Sequence, residues 1–146
     1  MAMYNELVME HFLHPRNVGV LDETDGVSVG SYGSPICGDT TDIFIKVEND
    51  VIVDAKFKTF GCCAAIASSS MATEMLKGMT IDEALTITTA QIVERLGGLP
   101  DPKVHCSVLA DHAIKTAIYH YAQREGKHYA GLEGFDPNKS NDPLEK

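Results

Sequence analysis

One stretch constrains the fold more than any other: Thr59 to Ser70, which reads Thr-Phe-Gly-Cys-Cys-Ala-Ala-Ile-Ala-Ser-Ser-Ser. It follows a strand pattern running from Val51 to Phe60,. The run of Ala and Ser after it predicts a closely packed helix. Gly61 sits at the junction, where a chain leaving a sheet is expected to need unusual φ/ψ freedom. Cys62 and Cys63 therefore stand at the mouth of the new helix. Unpaired amide N–H groups there favour thiolate over thiol. Two activatable sulfurs at a strand-to-helix turn point to metal or sulfur chemistry.

The remaining elements can be read around that junction. Asn5 to Leu13 carries Leu7, Val8, Phe12 and Leu13 at helical spacing and stops at His14-Pro15,. Gly26 to Gly30 reads as a weak first strand, and Tyr32 to Asp39 as a loop because of its glycines and proline,. Thr41 to Val47 alternates as a strand, Glu48-Asn49-Asp50 turns, and Val51 to Phe60 returns, giving a meander of antiparallel strands,. The helix from Ala64 is expected to end near Gly78. Thr80-Ile-Asp-Glu83 has the form of a capping box. Another helix starts at Thr88 or Thr89 and ends at Gly97-Gly98. The longest helix spans Ser107 to Arg124, with Asp111 and Lys115 paired at i,i+4. One domain is expected over residues 1–126, followed by a tail, 127–146, that is extended or poorly ordered.

Charge and cysteine content narrow the function. The 146 residues carry a formal net charge of -9, which repels nucleic acid,. No apolar run reaches membrane-spanning length, and Met1 to Glu10 lacks the basic region and apolar core of a signal peptide, so a cytoplasmic chain is expected,. In that compartment the four cysteines read as metal-binding or catalytic groups and not as a disulfide framework,.

Three junctions carry the reactive groups: Cys37 with Asp39, Cys62 with Cys63, and His105 with Cys106. The first two lie at the same end of the hairpin, and the helix beginning near Ser107 can bring its N-terminus there. Thiolate and imidazole suit Zn²⁺ or an iron–sulfur centre, whereas Asp39 offers a harder oxygen that suggests easier release. Plainer readings stand beside these. Cys63 can be a small buried hydrophobe, Asp39 a turn cap, and His105 a helix-terminal residue. The other histidines, together with Met71 and Met75, read as packing or surface residues. Ser68-Ser69-Ser70 lacks the glycine-rich lead and Lys of a P-loop, and reads as small residues permitting close packing.

Taken in order, the motifs Pro15-Arg16-Asn17-Val18-Gly19, Cys37-Gly38-Asp39, Phe57 to Cys62 with Ala65 to Ser70, and His105-Cys106-Ser107 resemble the iron–sulfur cluster assembly scaffolds of the IscU and NifU N-terminal type. The resemblance covers roughly Tyr4 to Gln123. It implies an α+β, SufE/NifU-like fold, a small antiparallel three-stranded sheet packed on one face by helices, with a long C-terminal helix. It also implies a site made of Cys37, Asp39, Cys62, His105 and Cys106, with Cys106 accepting persulfide sulfur from a cysteine desulfurase. The cargo is iron and a [2Fe–2S] cluster, for which zinc can substitute. By the same resemblance, Asp39 is expected to aid release to recipient apo-proteins. Such a chain is a scaffold and carrier, not an enzyme.

This sequence departs from the family pattern in two places. Cys63 stands where the family usually has glycine, which adds a candidate ligand. Leu99 to Cys106 differs from the Leu-Pro-Pro-Val-Lys stretch that engages an Hsp70-type chaperone, leaving that partner open along with a homodimer around the cluster. Two other functions remain: a zinc-binding structural or regulatory protein, and a sulfur carrier for a thiolation pathway.

Overall fold

The computed structural model describes residues 4–22, 26–33, 39–99, 106–129 and 132, with Cys106 described by its backbone. The elements in order are α1 (Glu6–Leu13), β1 (Val27–Gly33), β2 (Thr40–Glu48), β3 (Val51–Phe60), α2 (Cys63–Leu76), α3 (Ile81–Ala84), α4 (Thr89–Arg95) and α5 (Cys106–Glu125). The strands form one antiparallel sheet in the order β1-β2-β3. The expected α+β meander is present. Its first strand, however, continues through Tyr32 and Gly33, where glycine content suggested loop.

The hairpin between β2 and β3 closes through Asn49 and Asp50, both at positive φ (54° and 61°). That is the backbone of a type I′ turn, whose twist matches that of the flanking strands. Thr41, Ile43, Ile45 and Val47 of β2 point inward. On β3 the inward residues are Ile52, Ala55 and Phe57, the alternation being shifted by an irregularity at Lys46/Val47. The helices cover this face: α2 lies on β3, and α5 lies across β1 and β2. β1 approaches α5 so closely that a Cβ at Gly30 would collide with the backbone of Ala113 and Ala117.

Both sheet edges are partly covered, which blunts them as templates for pairing with another chain. On the β1 edge, Arg124 donates to the Val27 carbonyl at 2.6 Å, and the His120 ring lies 2.8 Å from the Val29 carbonyl. On the β3 edge, Phe57 exchanges backbone hydrogen bonds with Asn17 and Gly19, and Ile52 with Gly78 and Met79.

Local signals set most helix ends. Asn5 caps α1 by accepting the Val8 N–H at 2.8 Å. Thr80 and Glu83 form the predicted capping box of α3, and Thr88 with Gln91 forms a second one on α4. Asp111 and Lys115 pair as expected, but on a largely buried face where Asp111 also accepts from the Thr89 N–H at 3.1 Å. After α5, Lys127 and the Tyr129 hydroxyl both donate to Asp50 at 2.8 Å, laying the chain against the hairpin turn. Residues 133–146, most of the expected tail, lie outside the described residues.

Candidate metal and sulfur site

Strand register builds the site. Thr40 pairs with Phe60, so the residues just outside that pair, Asp39 and Gly61, face each other at the open end of the hairpin. The Asp39 Oδ2 accepts the Cys62 backbone N–H at 3.4 Å. Cys62 is the N-cap of α2 and makes no side-chain capping bond, so the cap does not engage its sulfur. A negative carboxylate at this helix end also sits favourably against the helix dipole.

Gly61 is needed here for a reason different from the expected one. Its φ is not in the left-handed region. Instead, a Cβ on Gly61 would lie 2.6 Å from the Asp39 carboxyl carbon and 2.9 Å from its Cβ. The glycine is a matter of space, and it lets Asp39 close over the start of α2.

Cys62 rests on a small apolar cluster of Ala64, Ala65 and Leu109, against which Tyr32 also packs. Leu109 belongs to the first turn of α5, the helix that begins at Cys106. The fold thus brings together Asp39, Cys62 and the end of α5. Cys63 is half-buried in the first turn of α2. Burial, and secondarily the neighbouring Cys62, push its thiol above the usual range. At Cys63 desolvation therefore outweighs the helix end that was expected to favour thiolate. Cys37 and His105 lie outside the described residues, as does the Cys106 side chain. Among the described residues, no three His, Cys, Asp or Glu side chains gather closely enough to hold a metal ion.

Beneath the site lies a layer of hydroxyls that sequence reading took for small packing residues. Thr59 donates to Ser69 at 2.9 Å, and Thr41 lies 3.0 Å from Thr59, so α2 holds both strand ends that lead to Asp39 and Cys62. Ser68 lies 2.8 Å from Ser107 of α5. Ser70 accepts the Arg16 N–H at 2.9 Å and lies 2.8 Å from the His11 ring, which ties α2 to α1. Consecutive helix residues point about 100° apart, so three adjacent serines can face three different neighbours. The available signal was their hydroxyls, given that every one is fully buried. At the rim, Phe60 is 80 % exposed. No helix among the described residues is long and apolar enough to cross a membrane.

A three-stranded antiparallel sheet covered on one face by helices has counterparts among known proteins. The family described as "NifU-like N terminal domain" matches residues 3–128. The chain is 55% identical over 125 residues to "Iron-sulfur cluster assembly scaffold protein IscU 1" of Archaeoglobus fulgidus, covering 86% of this chain and 80% of that one. It is 53% identical over 125 residues to the IscU scaffold protein of Azotobacter vinelandii, covering 84% of this chain and 97% of that one. The crystal structure of a NifU-like N-terminal protein from Brucella abortus superposes with a TM-score of 0.66 at 22% identity, over 82% of this chain and 94% of that one. The chain belongs to the NifU-like N-terminal domain family, that of the IscU and NifU scaffolds for iron–sulfur cluster assembly.

Proposed function

We propose that this chain is a scaffold on which a [2Fe–2S] cluster is built and from which it is handed to apo-proteins. The observation that carries the reading is the meeting of Asp39 with the Cys62 end of α2, on the same apolar cluster as the first turn of α5. Cys37, Cys62 and Cys106 supply thiolates, the natural ligands of iron–sulfur centres. Asp39 and His105 complete the set, and zinc can occupy the same groups.

Sulfur arrives at Cys106 from the persulfide of a cysteine desulfurase. The Cys106 thiolate attacks the outer sulfur, a new S–S bond forms, and the desulfurase thiolate leaves. Reducing that sulfur to sulfide takes two electrons from an external thiol or electron carrier. The positive end of the 20-residue α5 favours the attacking thiolate,.

The test is to incubate the protein with desulfurase, cysteine and ferrous iron, then map added sulfur by mass spectrometry and measure bound iron. Persulfide on Cys106 together with iron uptake supports the scaffold. Sulfur without iron uptake supports a sulfur carrier, and metal binding without sulfur supports a zinc protein. Label found only on Cys62 or Cys63 overturns Cys106 as acceptor.

A further inference from the structure

We propose that the Ser68–Ser107 hydroxyl pair is a positioning clamp, setting the first turn of α5, and with it Cys106, against the Cys62 end of α2; this rests on the scaffold reading. The two oxygens are 2.8 Å apart, and neither residue has any exposure to solvent. Ser107 immediately follows Cys106, and Ser68 lies on the helix that Cys62 caps. Beside this pair Ala64 and Ala65 meet Leu109 in apolar contacts, which are non-directional and do not themselves specify a register along the helix,. A hydroxyl pair is directional and does fix one.

The neighbouring serine gives α2 the same role toward the hairpin. Ser69 holds Thr59, and through it Thr41, which are the strand ends next to the Cys62 and Asp39 segments. All three described approaches to the site are thus referenced to one helix. The energetics also favour a geometric role. Removing one member of a buried hydroxyl pair strands the other, whereas removing both is nearly neutral for stability. Alanine at both positions would fold about as well, so what the pair adds is alignment.

The experiment compares wild type, Ser68→Ala, Ser107→Ala and the double variant Ser68→Ala/Ser107→Ala. It measures the thermal midpoint of the metal-free protein and the Co²⁺ affinity by competition with a chromophoric chelator. The thiolate-to-Co²⁺ charge-transfer band is recorded alongside. The single variants lose thermal stability, and the double variant regains most of it. Co²⁺ affinity in the double variant stays down about tenfold, the scale on which groups that orient ligands act, with a weakened band. A stable double variant with wild-type affinity and band overturns the clamp. A double variant no more stable than the singles also overturns it, because the hydroxyls would then hold the fold itself. If wild type shows no thiolate band, the ligand-site reading fails and the clamp falls with it. Wild-type binding matched by the double variant removes the clamp alone.

Discussion

Asp39 and Cys62 meet across the open end of the hairpin, the carboxylate accepting the Cys62 N–H at 3.4 Å. That bond is long, so Asp39 is tethered to the site and not locked in it.

The tether makes Asp39 suited to release. A carboxylate is a harder ligand than thiolate and leaves iron more readily. Asp39→Ala is expected to assemble a cluster and transfer it to an apo-ferredoxin more slowly, while losing at most about 1 kcal/mol of stability, the scale of a helix-end contact. Thermal stability and transfer rate measured on the same variant check this. Normal transfer with reduced stability would return Asp39 to a capping role.

Gly61→Ala tests the space that brings the pair together. The added methyl would stand 2.6 Å from the Asp39 carboxyl carbon, so the aspartate must move. The variant is expected to lose about 1–3 kcal/mol, the usual cost of overpacking, together with metal affinity. Combining it with Asp39→Gly, which removes the Asp39 Cβ 2.9 Å from the new methyl as well as the carboxyl group, should relieve the overpacking, and Asp39→Ala should relieve only part of it; denaturant titration of the variants would read the difference.

Cys63 is expected to be dispensable for the cluster. It lies half-buried inside the first helical turn, and burial holds its thiol in the protonated form. Cys63→Ala should keep the reconstituted spectrum, whereas Cys62→Ala should lose it. Loss in the Cys63 variant would make Cys63 a ligand.

The docking of α1 should weaken in acid. His11 is 5% exposed, and burial, then the Arg16 charge, lowers its pKa from 6.5, with Glu74 and Glu10 opposing. The unfolded chain therefore takes up the His11 proton first. The stabilisation is present above 6.5 and declines as pH falls below it toward the lower folded value,. The thermal midpoint, measured from about pH 7 down to about pH 5, should fall less steeply in His11→Gln than in wild type. Parallel slopes would show that His11 does not contribute.

Much of the fold could be read locally, and the exceptions share a cause. The Thr80/Glu83 box and the Asn49-Asp50 turn depend on neighbours within a few residues, and both formed as expected. The reason for Gly61 depends on Asp39, 22 residues earlier, which no local pattern reveals. Tyr32 and Gly33 look like loop by composition, yet pairing with Thr41 and Thr40 makes them strand. The serine run reads as small residues until α5, the sheet and α1 supply the partner of each hydroxyl. At the site, sequence reading paired Asp39 with the Cys62 turn from hairpin geometry, and register puts them in contact. The thiolate character expected of Cys63 did not follow, because burial is a property of the folded chain.

Anaerobic reconstitution with iron, cysteine and a desulfurase reads out whether thiolates from Cys37, Cys62 and Cys106 hold an iron–sulfur cluster. The reconstituted protein should show the visible absorption of a [2Fe–2S] centre and hold iron and acid-labile sulfide in equal amounts, with loss of both in each single Cys→Ala variant at those positions. A colourless protein that binds zinc and no acid-labile sulfide under the same conditions would contradict the scaffold reading.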